Sequence, residues 1–210
     1  MYDNDRVTTR EDYQELIDEV SVLLGTPATL EGRDFALIAF GAHDSDDARV
    51  MDPVRTRSIL RRRSTPAVRS WFESFGIARA DGPVRIPPEP AAGVLHGRIC
   101  LPARHAGVTY GYIWLLDDGA LDLADPRLAA AGRLADRIGT LLAGQARAGA
   151  RLGELLHALL TAAPAVAPAA AAELAGAVRR DAPGPLAMLA VTPWDGRETG
   201  PRPAGPPGPG

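Results

Sequence analysis

Apolar residues recur every three to four positions at Tyr13, Leu16, Ile17, Val20, Leu23 and Leu24, a spacing that predicts an amphipathic helix over residues 9–24. Thr9 is placed to cap it, Glu11, Asp12 and Glu15 complement the positive end of its dipole, and Gly25-Thr26-Pro27 stops it. The period then falls to two. Residues 28–30 and 35–40 flank the polar turn Glu31-Gly32-Arg33-Asp34 and predict a hairpin whose second arm, FALIAF, is apolar on both faces. Asp52-Pro53 and Ser64-Thr65-Pro66 each join a capping side chain to a proline at the first helical position, predicting two short helices. The second carries Val68, Trp71, Phe72 and Phe75 and ends at Gly76. Residues 77–97 are loop-like, with Pro83, Pro87, Pro88 and Pro90 and one short strand at 84–86. Long connections of this kind often cover ligand pockets.

The strongest pattern follows. Residues 99–101 and 108–116 are rich in β-branched, aromatic and aliphatic side chains and are separated by Arg104-His105-Ala106-Gly107, a hairpin signature. By the two-residue period Val108, Tyr110, Tyr112, Trp114 and Leu116 share one face and Thr109, Gly111, Ile113 and Leu115 the other. Both faces are mostly apolar, which predicts a central strand covered on both sides. Asp125-Pro126 then opens a long helix in which Leu128, Ala131, Ala135, Ile138, Leu142, Gln145, Gly149, Leu152, Leu156 and Leu159 follow a heptad seam. At 1.5 Å per residue, ~34 residues span ~50 Å, more than the width of a small domain. The distal half is therefore expected to project and to pair in a parallel homodimer, with Leu142, Leu152, Leu156 and Leu159 as its seam. The competing reading is a helix broken near Gly144 into two surface helices.

Beyond Thr161 the chain turns proline-rich. An alanine-rich helix at 169–180 and an apolar strand at 186–191 read as the opening of a further domain, and the tail RPAGPPGPG as disordered. The fold class is thus α+β, an antiparallel sheet flanked by helices with a long C-terminal connecting helix and a Pro/Gly tail. The boundaries are a sheet domain at 1–143, a connecting helix at 144–162, a remnant at 163–194 and the tail at 195–210.

Composition adds limits. At 210 residues and 46% hydrophobic the chain can bury one good core. A net charge of −3 gives no global pull toward nucleic acid or an anionic membrane. The acidic, polar N-terminus does not resemble a secretory signal, and no run approaches the ~18 apolar residues of a membrane span. The single cysteine, Cys100, excludes an internal disulfide and fits the cytoplasm. All 23 basic residues are arginine, which goes with a GC-rich bacterial coding sequence.

Candidate chemistry is sparse. Arg55, Arg57, Arg61, Arg62, Arg63 and Arg69 make the predicted helix pair the most basic region. Arg55, Arg61, Arg62, Arg63 and Arg69 are candidates for contact with an anion or with nucleic acid, an exposed arginine face being the plainer reading. Asp44, Asp46, Asp47 and Asp52 beside His43 lack the glycine and glutamate offsets of a calcium loop, so a solvated loop is expected and no metal or other cofactor. Neither G-x-S-x-G nor H-E-x-x-H occurs, and Cys100, near His96 and His105, lies in an apolar strand where thiols are usually inert. No catalytic activity is expected. Trp71, Phe75, Tyr110, Tyr112 and Trp114 are candidate lining for a ligand pocket between the sheet and residues 66–97, core filling being the alternative.

The order helix, hairpin, helical excursion, hairpin and long helix resembles a GAF-like sensor fold. The segments RDFALIAFGAHDSDD, RTRSILRRRSTPAVRSWFESFGIARADGPVRIP and GRICLPARHAGVTYGYIWLLDD resemble the N-terminal sensor region of actinobacterial PucR-family (CdaR-like) transcriptional regulators. PGPLAMLAV is fainter and resembles the first strand of that family's GGDEF-like middle region. The resemblance implies a GAF-like sensor over 1–143, a small-molecule effector of unknown identity, homodimerisation and a role in regulating transcription. It also implies a C-terminal helix-turn-helix, which nothing after Val191 supplies. DNA binding is accordingly expected only of an intact protein that carries one, and this chain reads as a truncated or frameshifted product. The rival functions are a ligand-independent dimerisation module and a direct DNA binder using the 53–75 helix pair.

Overall fold

The computed structural model describes residues 10–41, 53–92, 94–161 and 167–181. Its elements are α1 (Arg10–Leu24), β1 (Ala28–Gly32), β2 (Leu37–Phe40), α2 (Pro53–Arg61), α3 (Pro66–Glu73), β3 (Val84–Ile86), β4 (Gly97–His105), β5 (Val108–Asp117), α4 (Pro126–Thr161) and α5 (Ala167–Asp181). The acidic segment with His43, the strand expected at 186–191 and the Pro/Gly tail lie outside the described residues.

The strands form one antiparallel sheet in the order β2-β1-β5-β4-β3. With helices against it and the long α4 near its C-terminal end, this is the α+β class that the periodicities predict. β5 lies between β1 and β4, the place its doubly apolar sequence demands. The β4–β5 hairpin is tighter than its polar break implies, because Arg104 and His105 pair with Thr109 and Val108. Only Ala106 (φ 47°) and Gly107 (φ 79°) remain in the turn. Two successive left-handed residues give the turn whose twist matches that of the flanking strands.

One face of the sheet carries α1 and α4. Ile17 and Val20 of α1 meet Ala28 and Leu30 of β1, Ile99, Leu101 and Ala103 of β4, Ile113 and Leu115 of β5, and Leu128, Ala131, Ala135 and Ile138 of α4 in one buried cluster. The helix sits very close to β4 at Gly139, where a Cβ would lie 2.1 Å from the Arg104 carbonyl oxygen. The proximal half of the predicted seam, Leu128 through Leu142, is therefore occupied by the chain's own sheet. α4 runs unbroken through Gly144 for 36 residues, against the broken-helix reading. Its distal part is met by α5, with Arg151 Nη2 2.8 Å from Glu173 Oε2 and Leu155 and Ala170 both buried. Of the expected seam leucines there, Leu152 and Leu159 are half-buried and Leu156 is exposed.

The other face carries the α2–α3 segment over Phe35, Val54, Phe72, Ile77, Ile86, Val94, Cys100, Tyr112 and Trp114. Phe35 departs from its predicted place at the head of a strand. It is left-handed (φ 61°) and fully buried, and pairing with β1 resumes only at Leu37. The Gly32 N–H donates to the Ala36 carbonyl at 2.8 Å, and the Phe35 N–H to the Gly32 carbonyl at 2.9 Å, closing a compact turn. A left-handed L-residue costs roughly 1–2 kcal/mol, and burying a phenylalanine returns about 1.5–3 kcal/mol. The ring wins, packed at a tilt with its centroid 5.2 Å from that of Tyr112 and 6.0 Å from that of Trp114.

Candidate functional site

All five residues of β1 are buried. Ala28 and Leu30 face α1 and α4, so the two-residue period turns Thr29 and Glu31 toward the α2–α3 layer. There they join Val54, Arg55 and Ser58 of α2, Ser64 of the α2–α3 link, Phe72 of α3, Arg98 of β4 and Trp114 of β5 around a cavity of about 20 Å3. That is room for about one water molecule. The space grows to about 270 Å3 when its opening to solvent is included.

Glu31 is the centre of this ring and is 3% exposed. Its Oε2 accepts from the Trp114 indole Nε1–H at 3.0 Å, and its Oε1 accepts from the Ser64 hydroxyl at 3.1 Å. Ser64 Oγ in turn lies 2.9 Å from Ser58 Oγ. Burial pushes the Glu31 carboxyl up to about 7, against the hydrogen bonds from Ser64, Trp114 and Ser58 and the positive charge of Arg98. Two buried guanidinium groups complete the ring. Arg98 is 4% exposed with its Cζ 5.9 Å from the centre of the Phe72 ring, a cation–π contact. Arg55 donates from Nη2 to the Gly41 carbonyl at 3.3 Å. Cys100 lies below this layer, fully buried, and its thiol is raised well above the ordinary range by desolvation and then by the charge of Glu31. A thiol held protonated in this way is a poor nucleophile.

The predicted aromatic lining is divided by the structure. Trp114 touches the cavity, and Tyr112 packs beside it at 5.8 Å. Trp71 and Phe75 meet edge to face with ring centroids 5.0 Å apart, half-buried at the edge of the same cluster and away from the cavity. Tyr110 belongs to the opposite face, against the α1–α4 layer. The reason is a bulge. Gly111 pairs with Ala103 while Thr109 pairs with Arg104, so β5 has one extra residue there and the alternation shifts by one. Thr109 accordingly points to the α3 side, donating to the Ala78 carbonyl at 3.1 Å.

The arginines divide similarly. Arg55 alone of the five candidates enters the cavity. Arg61, Arg62 and Arg63 are exposed, Arg63 lying 3.3 Å from Asp34. Arg69 pairs with Glu73 at 2.9 Å and lies 5.4 Å over the Phe35 ring. Because Phe72 is buried and Trp71 half-buried in the sheet layer, α3 spends its apolar face on the chain's own core.

Sequence reasoning missed Glu31, Arg98, Ser58, Ser64 and Thr29. A weak signal existed for two of them, since Arg98 directly precedes the apolar run 99–103 and Glu31 continues the period that buries Thr29. Among the described residues no group of three or more His, Cys, Asp or Glu side chains is arranged to hold a metal ion. No helix among them is long and apolar enough to cross a membrane.

No family model matches the chain, and no curated protein matches it. Among solved structures it is similar to the cofactor-binding GAF domain of the nutrient sensor CodY from Clostridium difficile, with a TM-score of 0.42 and 12% identity over 65% of this chain and 85% of that one.

Proposed function

We propose that this chain is the small-molecule-sensing and dimerising part of a PucR-like transcriptional regulator, a GAF-like module of the cytoplasm with no catalytic activity of its own. The observation that carries the reading is the ring of Glu31, Arg55, Arg98, Ser58 and Ser64 beneath α2 and α3. Ionisable groups are costly inside an apolar layer, and a packed core has no need of them on a face where Phe35, Phe72 and Tyr112 already fill the space. They are suited to recognising a polar ligand.

The strand next to the ring supports a route for the signal. Trp114 holds Glu31, while its neighbours Ile113 and Leu115 pack in the layer of α4. A ligand that displaces Trp114 acts on a strand whose other face bears α4, and α4 continues for ~54 Å in all at 1.5 Å per residue. DNA binding is assigned to a helix-turn-helix of the intact regulator.

The test is a thermal-shift screen of the chain and of Ser58→Leu, which fills the cavity, against a metabolite panel. A ligand present at 100 times its Kd stabilises the native state by about 2.7 kcal/mol, raising the melting temperature of the wild type and leaving Ser58→Leu unmoved. A panel without any shift, or a shift that survives Ser58→Leu, refutes the reading.

A further inference from the structure

The lining of the cavity is one-sided in its hydrogen-bond chemistry. Arg55 and Arg98 bring guanidinium groups, Trp114 an indole N–H, and Ser58, Ser64 and Thr29 hydroxyls, whereas Glu31 is the one carboxylate. Guanidinium forks and convergent hydroxyls are the donor set that recognises oxygen anions. The ring thus holds one such anion already, the side chain of Glu31, bonded to Trp114 and Ser64. The void beside it, about 20 Å3, is too small for a metabolite but sits at the base of a wider opening.

We propose that this site binds the oxyanion group of a small ligand, a carboxylate or a phosphoryl group, which takes over from Glu31 as the acceptor for Trp114 and Ser64 and is paired by the charges of the two arginines that line the cavity. The inference rests on the sensing role proposed above and specifies the ligand's chemistry. Two negative groups cannot share so small a buried ring, so Glu31 takes up a proton as the anion enters and the complex carries no additional net charge. The groups facing Glu31 are Arg98 and Cys100 from β4, Arg55 and Ser58 from α2, Ser64 from the link, and Trp114 from β5; of these, Cys100 stays protonated and the arginines stay charged at neutral pH. Glu31 is then the group in the ring that titrates near neutrality. If the protonated form alone binds, the affinity is scaled by the protonated fraction and falls about tenfold from pH 6 to pH 8.

The experiment titrates the full chain with acetate, with sulfate as a phosphate-like anion of constant charge, and with acetamide as the neutral control. Binding is followed by the indole Nε1–H resonance of Trp114, assigned with Trp114→Phe. The expected result is that an anion shifts this resonance, acetamide does not, and affinity is about tenfold greater at pH 6 than at pH 8. Acetate and sulfate decide between the carboxylate and phosphoryl classes. Glu31→Gln should bind with the same affinity at both pH values. Arg98→Met should lose at least about tenfold, one charge-assisted contact being worth that much, and Arg55→Met serves where circular dichroism shows Arg98→Met to be unfolded. Equal binding of acetamide, pH-independent anion binding in the wild type, or pH dependence retained by Glu31→Gln overturns the proposal. If a neutral metabolite binds in a Ser58-dependent way and neither anion does, the oxyanion assignment falls and the sensing role stands. If nothing binds, both fall.

Discussion

Glu31→Gln should flatten the pH dependence of folding stability between about pH 4.5 and 7 and make the protein more stable than wild type above it. The glutamate's carboxyl is raised from 4.5 to about 7 by burial, so between those values the folded state holds a proton that the unfolded chain has released. Stability then falls as pH rises. Glu31's contribution is fully present below the unfolded value, is lost through the window, and is constant above about pH 7. The rise from 4.5 to about 7, at about 1.4 kcal/mol for each pH unit, corresponds to roughly 3–3.5 kcal/mol. Glutamine is neutral throughout and reproduces the bonding of the protonated acid. Its carbonyl accepts from Trp114 Nε1 and its amide donates to Ser64 Oγ, whose own proton turns toward Ser58, an arrangement the 2.9 Å hydroxyl pair permits. Urea unfolding followed by circular dichroism at pH 5, 6, 7 and 8 measures both proteins. Every other titrating group is common to them, so the difference curve isolates Glu31. It should rise toward high pH by up to ~3 kcal/mol. A flat difference, or a wild type that gains stability with pH relative to the variant, would show that Glu31 is ionised in the fold and that the neighbouring arginines outweigh its burial.

Two further outcomes test other parts of the structure. Gly139→Ala should destabilise by about 3 kcal/mol or more in urea, because its methyl would stand 2.1 Å from the Arg104 carbonyl oxygen and the helix must lift off the strand. Gly132→Ala, on the same helix with nothing within 4 Å, should instead gain roughly 0.5–1 kcal/mol, and a similar response from both would refute the tight contact. A Leu152→Asp, Leu156→Asp double variant should be monomeric by light scattering if the distal part of α4 is the dimer seam. An unchanged dimeric mass counts against that seam.

Element type was legible because each segment keeps one period for most of its length. The alternation of β5, the stripe of α1 and the proline-started α2 and α3 all fold as their patterns indicate. The errors arise where one residue breaks a period for a tertiary reason. Tyr110 was misplaced by a bulge that the residues 108–116 do not announce, since both faces there are mostly apolar and the one polar residue the slip buries, Thr109, finds a partner in the Ala78 carbonyl. Phe35 reads as a strand residue and becomes a left-handed turn residue, because its ring gains more in the aromatic cluster than the backbone loses. Glu31 reads as a turn because glutamate before Gly-Arg-Asp has the composition of one. Only the pairing of β1 with β5 carries the strand to Gly32 and takes the carboxyl inside. The heptad in α4 was visible, but periodicity alone cannot say whether a stripe meets another chain or its own sheet, and Leu128 to Leu142 meet the sheet.

The two layers are held by different forces, and this decides which of them can answer a ligand. α4 meets β4 across an apolar surface with Gly139 at backbone contact distance, so displacing it separates close-packed groups and opens voids. The α2–α3 layer meets the sheet partly through polar bonds. Ser64 reaches Glu31, and past α3 the Arg104 guanidinium, 2.7 Å from Asp81, donates to the carbonyls of Arg79 and Ala80 and reaches back to Gly107. Hydrogen bonds of this kind can be exchanged for bonds to a ligand at little net cost. On the proposed sensing role, a change at the ring is taken up first by α2, α3 and the Trp114 side chain, and any shift of β5 is carried to α4 because strand and helix are close-packed. That division suits a module that responds on one face and passes the response to a long helix on the other.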